Sequence, residues 1–118
     1  MTKCLDSSVL LAFLHEGSHV ELFHDTAYCS TLAFFEVERV LLRKLHRKEV
    51  ESTMTLLKSM MLTMPVDMQI SSLAAQLSIT HKLATADAIM LATAQSLNMT
   101  LYTRDSDFAN IKGAVIVN

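Results

Sequence analysis

The sequence has few of the residues that mark several protein classes. It contains two cysteines, Cys4 and Cys29, each in a short apolar stretch and neither in a C-x-x-C pair. This argues against a cysteine-based metal site and predicts buried free thiols in a reducing cytoplasm. No stretch approaches the roughly 18 consecutive apolar residues of a membrane span. The first residues carry an acid, Asp6, and no small-residue cleavage site, so we do not expect a signal peptide.

An excess of positive charge is also lacking. The chain has 10 lysines and arginines against 12 aspartates and glutamates, a formal net charge of −2. A nucleic-acid-binding role would therefore need local basic patches. In contrast, 51% of the residues are hydrophobic and the mean hydropathy is +0.33. This is high for a small domain and predicts that part of the apolar surface lies in a homodimer or partner interface.

Strands and helices alternate along the 118 residues, which we expect to form one domain, residues 1–118. The predicted strands are TKCLD, TAYCS, MTLYT and AVIVN. The predicted helices begin at Ser7 or Ser8, cover 31–46, 48–62 and 67–82, and begin again at Thr85. TMPV is predicted as an extended link at the only proline. This alternation predicts the α/β class, with a mostly parallel sheet covered by helices on both faces.

Residues 15–19, HEGSH, match the H-E-x-x-H signature of zinc peptidases. A zinc site of this kind needs both histidines on one continuous helix. Gly17 and Ser18 lie between them, where glycine costs about 1 kcal/mol relative to alanine, and the first helix is predicted to stop at Gly17. We therefore interpret His15 and His19 as solvated residues at a helix end. A zinc site stays a minor alternative that metal analysis would decide.

Three other acids lie where a parallel sheet brings side chains together. Asp6 ends the first predicted strand and Asp105 follows the strand MTLYT. Ligands bind at the carboxyl ends of parallel strands. Asp87 lies in the first turn of its helix on an apolar stripe, and a buried carboxylate is tolerated when it is paired or binds a metal. Taken singly, each acid could equally be a helix cap or a solvated charge.

Helical periodicity leaves the fourth acid open. In the predicted helix 31–46, Glu38 falls inside the widest apolar arc, whereas Glu36 lies at the polar edge. Periodicity alone therefore favours Glu38 as the buried acid of this helix.

Four sequence blocks resemble, in order, the motifs of PIN domains, especially those of VapC-type toxins. The blocks are CLDSSVLLAFL, STLAFFEVERVL, LATADAIMLATA and LYTRDSDF. The resemblance spans nearly the whole chain and selects Glu36, six residues after Ser30, over Glu38. It implies a three-layer α/β/α sandwich and a Mg²⁺- or Mn²⁺-dependent ribonuclease. The short link after the first helix departs from relatives that carry an extra helix there, and it leaves the substrate range and the partner surface open.

On this resemblance we assign Asp6, Glu36, Asp87 and Asp105 as catalytic residues that bind the metal directly or through water. Carboxylate oxygens are hard ligands and suit Mg²⁺ or Mn²⁺ rather than zinc. Asp107 is either an outer metal ligand or a helix-capping acid. Two hydroxyl side chains, Ser7 and Thr103, are expected to orient waters or carboxylates.

Basic residues supply the predicted RNA contacts. Arg39, Arg43 and Arg47 recur every four residues on the helix edge that carries Glu36, and Arg104 adjoins Asp105. They are predicted to bind RNA phosphates, although a solvated basic face is the simpler interpretation.

The predicted function is endoribonuclease activity on RNA; the resemblance alone implies that the enzyme is the toxin of a toxin–antitoxin pair, and a housekeeping nuclease is not distinguished from it by the sequence. The alternative is a non-catalytic PIN-like module that binds RNA or protein. A receiver-type phosphoryl-transfer domain is disfavoured, because the strand MTLYT ends in Thr-Arg-Asp and not in a lysine.

Overall fold

The computed structural model describes residues 2–118. The strands are β1 (Lys3–Leu5), β2 (Ala27–Ser30), β3 (Leu62–Met64), β4 (Leu101–Thr103) and β5 (Ala114–Ile116). The α-helices are α1 (Ser7–Glu16), α2 (Thr31–Leu42), α3 (Arg47–Ser59), α4 (Met68–His81) and α5 (Thr85–Ser96). Short 3-10 helices cover Val20–Phe23 and Ser106–Phe108. Within residues 2–118, no helix is long and apolar enough to cross a bilayer.

The strands form one sheet in the order β3-β2-β1-β4-β5, and every neighbouring pair is parallel. Helices cover the sheet to give the expected three-layer α/β/α sandwich, with α5 packed against β1, β2 and β4. The chain runs outward from β1 to β2 and β3, and returns to place β4 on the other side of β1. The strand order therefore reverses between β1 and β4. In open α/β sheets, ligands bind at the carboxyl ends of the strands at such a reversal.

The core is centred on β1 and α5. Leu5 of β1 and Leu91 of α5 have no solvent-exposed area. Six of the seven residues from Ala88 to Ala94 are buried, so α5 is a core helix whose first turn reaches the carboxyl edge of the sheet. This arrangement carries Asp87 close to the ends of β1 and β4.

Helix caps place the first site residues. We expected Ser7 or Ser8 to cap α1, but the cap is Asp6, whose side chain accepts the backbone N–H of Val9. Ser30 caps α2, and its side chain accepts the N–H of Leu32. The N-cap residue of a helix has an extended backbone conformation. Asp6 therefore connects the end of β1 directly to the start of α1.

Three sequence predictions of elements were wrong. TMPV, expected as a link, contributes to β3, a three-residue edge strand with exposed Leu62 and Thr63. Residues 18–25, the short link expected after the first helix, contain a 3-10 helix that buries Leu22. The helix predicted over 31–46 ends at Leu42, since the N–H groups of both Lys44 and Leu45 bond to the carbonyl of Leu41 and the chain turns.

A candidate metal centre at the carboxyl edge of the sheet

Asp6 is a buried acid held by hydrogen bonds. It is 4% exposed, and its Oδ1 accepts the hydroxyl of Ser8 at 2.6 Å and the N–H of Val9 at 3.2 Å. Burial raises the pKa of Asp6, and hydrogen bonds from Ser8, Thr103 and Val9 act in the opposite direction. These donors favour the ionised form, because they bind the negative oxygens.

Glu36 is half-buried on α2. The hydroxyl of Ser7 donates to its Oε1 at 2.8 Å, across 29 residues of sequence. Glu38, which periodicity favoured, is exposed. The periodicity argument failed because several members of the apolar arc lie in solvent: Phe35 is 55% exposed and Leu42 50%. Asp6 and Glu36, each bound by a serine of α1, are called the hydroxyl-bound acids below.

Asp87 is the acid whose titration is most affected by its neighbours. Burial raises its pKa to about 6, and so do four negative charges: first Asp105, then Asp6, Asp107 and Glu36. The charges of four other carboxylates, brought together from three other segments of the chain, therefore act on Asp87 at this edge. In the range 2–118, no lysine or arginine forms an ion pair with any of the five.

Asp87, Asp105 and Asp107 form the tightest group, called the carboxylate cluster below. Each offers an oxygen, and these oxygens lie within 4.8 Å of one another. The 3-10 turn after β4 places two of them: Asp105 caps the turn and its Oδ1 accepts the N–H of Asp107 at 2.9 Å. The cap is thus Asp105, which leaves the Asp107 carboxylate for the cluster.

The donor set fits a hard divalent cation. Only carboxylate oxygens are offered, and these are the ligands of Mg²⁺ and Mn²⁺. The neighbouring acids raise the pKa of Asp87, and a bound cation would compensate this repulsion. The hydroxyl-bound acids lie outside the cluster's 4.8 Å group but within electrostatic reach of Asp87.

The hydroxyl side chains predicted near the site make direct contacts there. Ser7 bonds Glu36, as described above. Thr103 is fully buried, and its Oγ1 accepts the N–H of Asp105 at 3.0 Å. Ser8, which sequence reasoning considered only as a helix cap, donates to Asp6 and accepts the N–H of Arg104 at 2.9 Å. Its one sequence signal was a second hydroxyl residue directly after Asp6 and Ser7.

The prediction that three arginines form a row along one helix is wrong. Arg39 lies on α2 and stacks over the Phe35 ring at 5.2 Å, Arg43 caps the end of α2, and Arg47 opens α3. The row depended on a continuous helix 31–46, and the turn after Leu42 breaks it.

Arg104 lies next to Asp105 in the chain, but its guanidinium pairs with Glu16 at the end of α1, 3.3 Å away. RNA binding by any of these arginines stays a prediction.

The HEGSH segment forms no metal site in the described range. Gly17 adopts a left-handed conformation with φ 68° and ends α1 before His19. The one group of three or more metal-type ligands in residues 2–118 is the carboxylate cluster. Contrary to the expectation of a solvated residue, the side chain of His19 is only 10% exposed. His15 is exposed as expected.

Comparison with known proteins identifies the fold family. The model of the PIN domain family matches residues 3–114. The chain belongs to the PIN domain family. A comparison with curated proteins found no match.

Solved structures share the PIN fold over their whole length. A toxin–antitoxin complex from Klebsiella pneumoniae matches with TM-score 0.83 and 24% identity, covering 96% of this chain and 95% of that chain. VapBC2 from Rickettsia felis, bound to a promoter DNA fragment, matches with TM-score 0.82 and 15% identity, covering 100% and 98%. DNA-bound VapBC from Salmonella typhimurium matches with TM-score 0.80 and 16% identity, covering 99% and 98%. At these identities the likeness extends to the fold alone.

Proposed function

We propose that this PIN domain is a divalent-metal-dependent endoribonuclease that hydrolyses phosphodiester bonds of RNA. The observation that carries the proposal is the convergence of Asp87, Asp105 and Asp107, whose oxygens lie within 4.8 Å of one another, and burial and the nearby acids raise the pKa of Asp87 to about 6. Such perturbed groups collect at functional sites. The same five acids lie where the strand order reverses, the usual ligand position in an open parallel sheet.

Within this proposal, the carboxylate cluster holds the ion directly. Asp107 joins Asp87 and Asp105 as a ligand, since its carboxylate lies in their group and does not cap the turn. Asp6 and Glu36 act from the neighbouring positions, directly or through water, with their carboxylates oriented by Ser8 and Ser7. When bound, Mg²⁺ or Mn²⁺ supplies an activated water and neutralises charge that develops on the scissile phosphate.

The site combines access for a phosphate with acids that are held in fixed positions. The acids face an edge that is open enough to leave Asp105 half-buried and Asp107 exposed, so a phosphate of an RNA strand has access. Thr103 and Ser8 fix the backbone of residues 104–105. The acids are thereby held in place before substrate arrives, which is the condition for electrostatic stabilisation of a transition state.

The experiment is RNA cleavage with Mn²⁺, with and without EDTA, for the wild type, Asp6→Asn and Glu36→Gln. We expect cleavage by the wild type with Mn²⁺ and loss of cleavage with EDTA or with either substitution. Glu38→Gln is the matched control, because this exposed acid lies on the same helix two residues from Glu36. Cleavage that survives both EDTA and Asp6→Asn would refute the metal mechanism. RNA binding without cleavage by the wild type would favour the non-catalytic alternative.

We propose further that the nuclease is a toxin with a protein antitoxin as its partner in the cytoplasm. The similar structure from Klebsiella is described as a toxin–antitoxin complex, and those from Rickettsia and Salmonella are described as VapBC proteins bound to DNA. Exposed apolar side chains between α2 and α3 offer surface for a partner, with Phe35 and Leu42 both at least half exposed. The free, buried cysteines suit a reducing compartment.

A genomic neighbour that encodes a small antitoxin, and that copurifies with the chain, would support the pair. If the antitoxin copurifies with Phe35→Glu as well as with the wild type, this surface is not the antitoxin-binding site. The homodimer stays a prediction, which the mass of the purified chain in solution tests.

A further inference from the structure

Ser8 lies at the junction between the two motifs that carry Asp6 and Asp105. It is the second residue of α1 and is half-buried. Its Oγ lies 2.6 Å from Asp6 Oδ1, 2.9 Å from the backbone nitrogen of Arg104 and 3.5 Å from Thr103 Oγ1. The contacts to residues 103 and 104 cross more than ninety positions of sequence, so they join distant parts of the chain.

The inventory of donors and acceptors fixes the direction of each bond. A serine hydroxyl has one hydrogen to donate and two lone pairs to accept. An ionised carboxylate only accepts, so the hydrogen of Ser8 points to Asp6. The backbone N–H of Arg104 only donates, so it takes a lone pair of Ser8. The Ser8 side chain therefore orients the Asp6 carboxylate and also hydrogen-bonds the backbone that follows β4.

Thr103 supports the same connection from the other side. Its Oγ1 accepts the N–H of Asp105 at 3.0 Å, directly next to the N–H that Ser8 accepts. Consecutive amides of the segment that leads into the carboxylate cluster are thus held by hydroxyls adjoining Asp6. Ser7, one residue earlier on the helix, turns to a different acid and bonds Glu36.

We infer that Ser8 is a positioning residue that sets the spacing between Asp6 and the carboxylate cluster. This role rests on the proposed metal-dependent function. Ser8 itself holds no ion; it fixes the carboxylate of Asp6 and the path of residues 104–105, from which Asp105 and Asp107 project. Partners that orient ligands in this way contribute about 10- to 100-fold to metal affinity or activity.

The test compares Ser8→Val with Ser8→Thr, two side chains of equal shape that differ in the hydroxyl. Mn²⁺ affinity is measured by calorimetry, and hydrogen exchange of the Arg104 amide is measured by NMR on the metal-free protein. We expect Ser8→Val to bind Mn²⁺ about 10- to 100-fold more weakly and to exchange the Arg104 amide faster. Ser8→Thr should restore both values towards wild type. Ser52→Ala, which removes an exposed serine hydroxyl on α3, is the control expected to match wild type.

The outcomes separate this inference from the proposed function. Equal Mn²⁺ affinity in wild type and Ser8→Val overturns the role of Ser8 alone, and so does an Arg104 amide that exchanges equally in both variants. A wild-type protein that binds no Mn²⁺ overturns the proposed function. Should Ser8→Val fail to fold, Ser8→Ala replaces it against Ser8→Thr under the same criteria.

Discussion

The two groups of acids at the carboxyl edge differ in how their charge is accommodated. Among the hydroxyl-bound acids, burial raises the pKa of Asp6, and hydrogen bonds from Ser8, Thr103 and Val9 act in the opposite direction. In the carboxylate cluster, burial raises the pKa of Asp87, and the negative charges of four other acids raise it further. Serine hydroxyls orient both acids of the first group, whereas our proposal assigns the compensation of the like charges around Asp87 to a cation. The difference indicates that the fold orients one pair of acids and leaves the other group ready to bind an ion.

The largest effect is expected from removing a charge of the carboxylate cluster. Asp87→Asn should lower the rate of RNA cleavage at least about 100-fold, because the ion's stabilisation of the transition state amounts to several kcal/mol. The measurement is the initial rate at saturating Mn²⁺. A rate within a few-fold of Glu38→Gln would mean that the cluster is not the metal site.

Next comes the effect of the ion on stability. Mn²⁺ at about 100 times its dissociation constant should raise the free energy of unfolding by about 2.7 kcal/mol. Urea unfolding with and without Mn²⁺ measures this change, and Asp105→Asn should remove most of it. Equal stabilisation of wild type and Asp105→Asn would place the ion elsewhere.

A smaller effect is expected from the serine that orients Glu36. Ser7→Ala should lower cleavage about 10-fold, the lower end of the range for residues that orient metal ligands. The Glu36 carboxylate remains but loses its 2.8 Å hydrogen bond. The rate constant for cleavage is compared with that of Ser52→Ala, and a rate equal to this control would show that Glu36 needs no orienting partner.

The smallest effect concerns pH and the metal-free protein. The pKa of Asp87 in the folded protein, about 6, lies above the ordinary value of 3.8 for an aspartate. Below pH 3.8 the Asp87 carboxyl is protonated in both the folded and the unfolded protein, so it does not change the free energy of unfolding. Between pH 3.8 and 6 the folded state retains a proton that the unfolded chain releases, so this contribution to stability falls as the pH rises.

Asp87→Asn should therefore be more stable than wild type in EDTA at pH 7, and the gain should shrink as the pH falls through 6 towards 4. Urea unfolding at each pH measures it, with Glu38→Gln as the control. A gain that is independent of pH would contradict the raised pKa. The variant that loses activity is thus expected to gain stability, as predicted for a strained metal site.

Sequence patterns located some of the acids and missed others. Asp6 and Asp105 follow from strand ends and Asp87 from an apolar stripe, because each signal depends on neighbours within one helix or strand. Periodicity chose Glu38 over Glu36 and was wrong, since the arc it used includes exposed Phe35 and Leu42. The resemblance to PIN domains selected Glu36, the acid that bonds Ser7.

Other misses have the same origin. Strand β3 was not predicted because a short, exposed edge strand lacks the buried pattern of a central strand. The arginine row assumed that α2 continues past Leu42. Its end depends on backbone hydrogen bonds to Leu41 and on the start of α3, where Glu49 accepts the N–H of His46 at 3.2 Å.

The sequence alone determined the alternation of strands and helices, the parallel sheet and most of the acids that bear on function. These follow from local preferences, since capping, strand formation and amphipathic periodicity depend on residues a few positions apart. Only the tertiary structure decided which acids meet, that Asp107 joins them and that Ser8 connects residues more than ninety positions apart. The reason is physical: a carboxylate's charge and pKa respond to oxygens within a few ångströms, and those distances are set by how the sheet brings distant segments together.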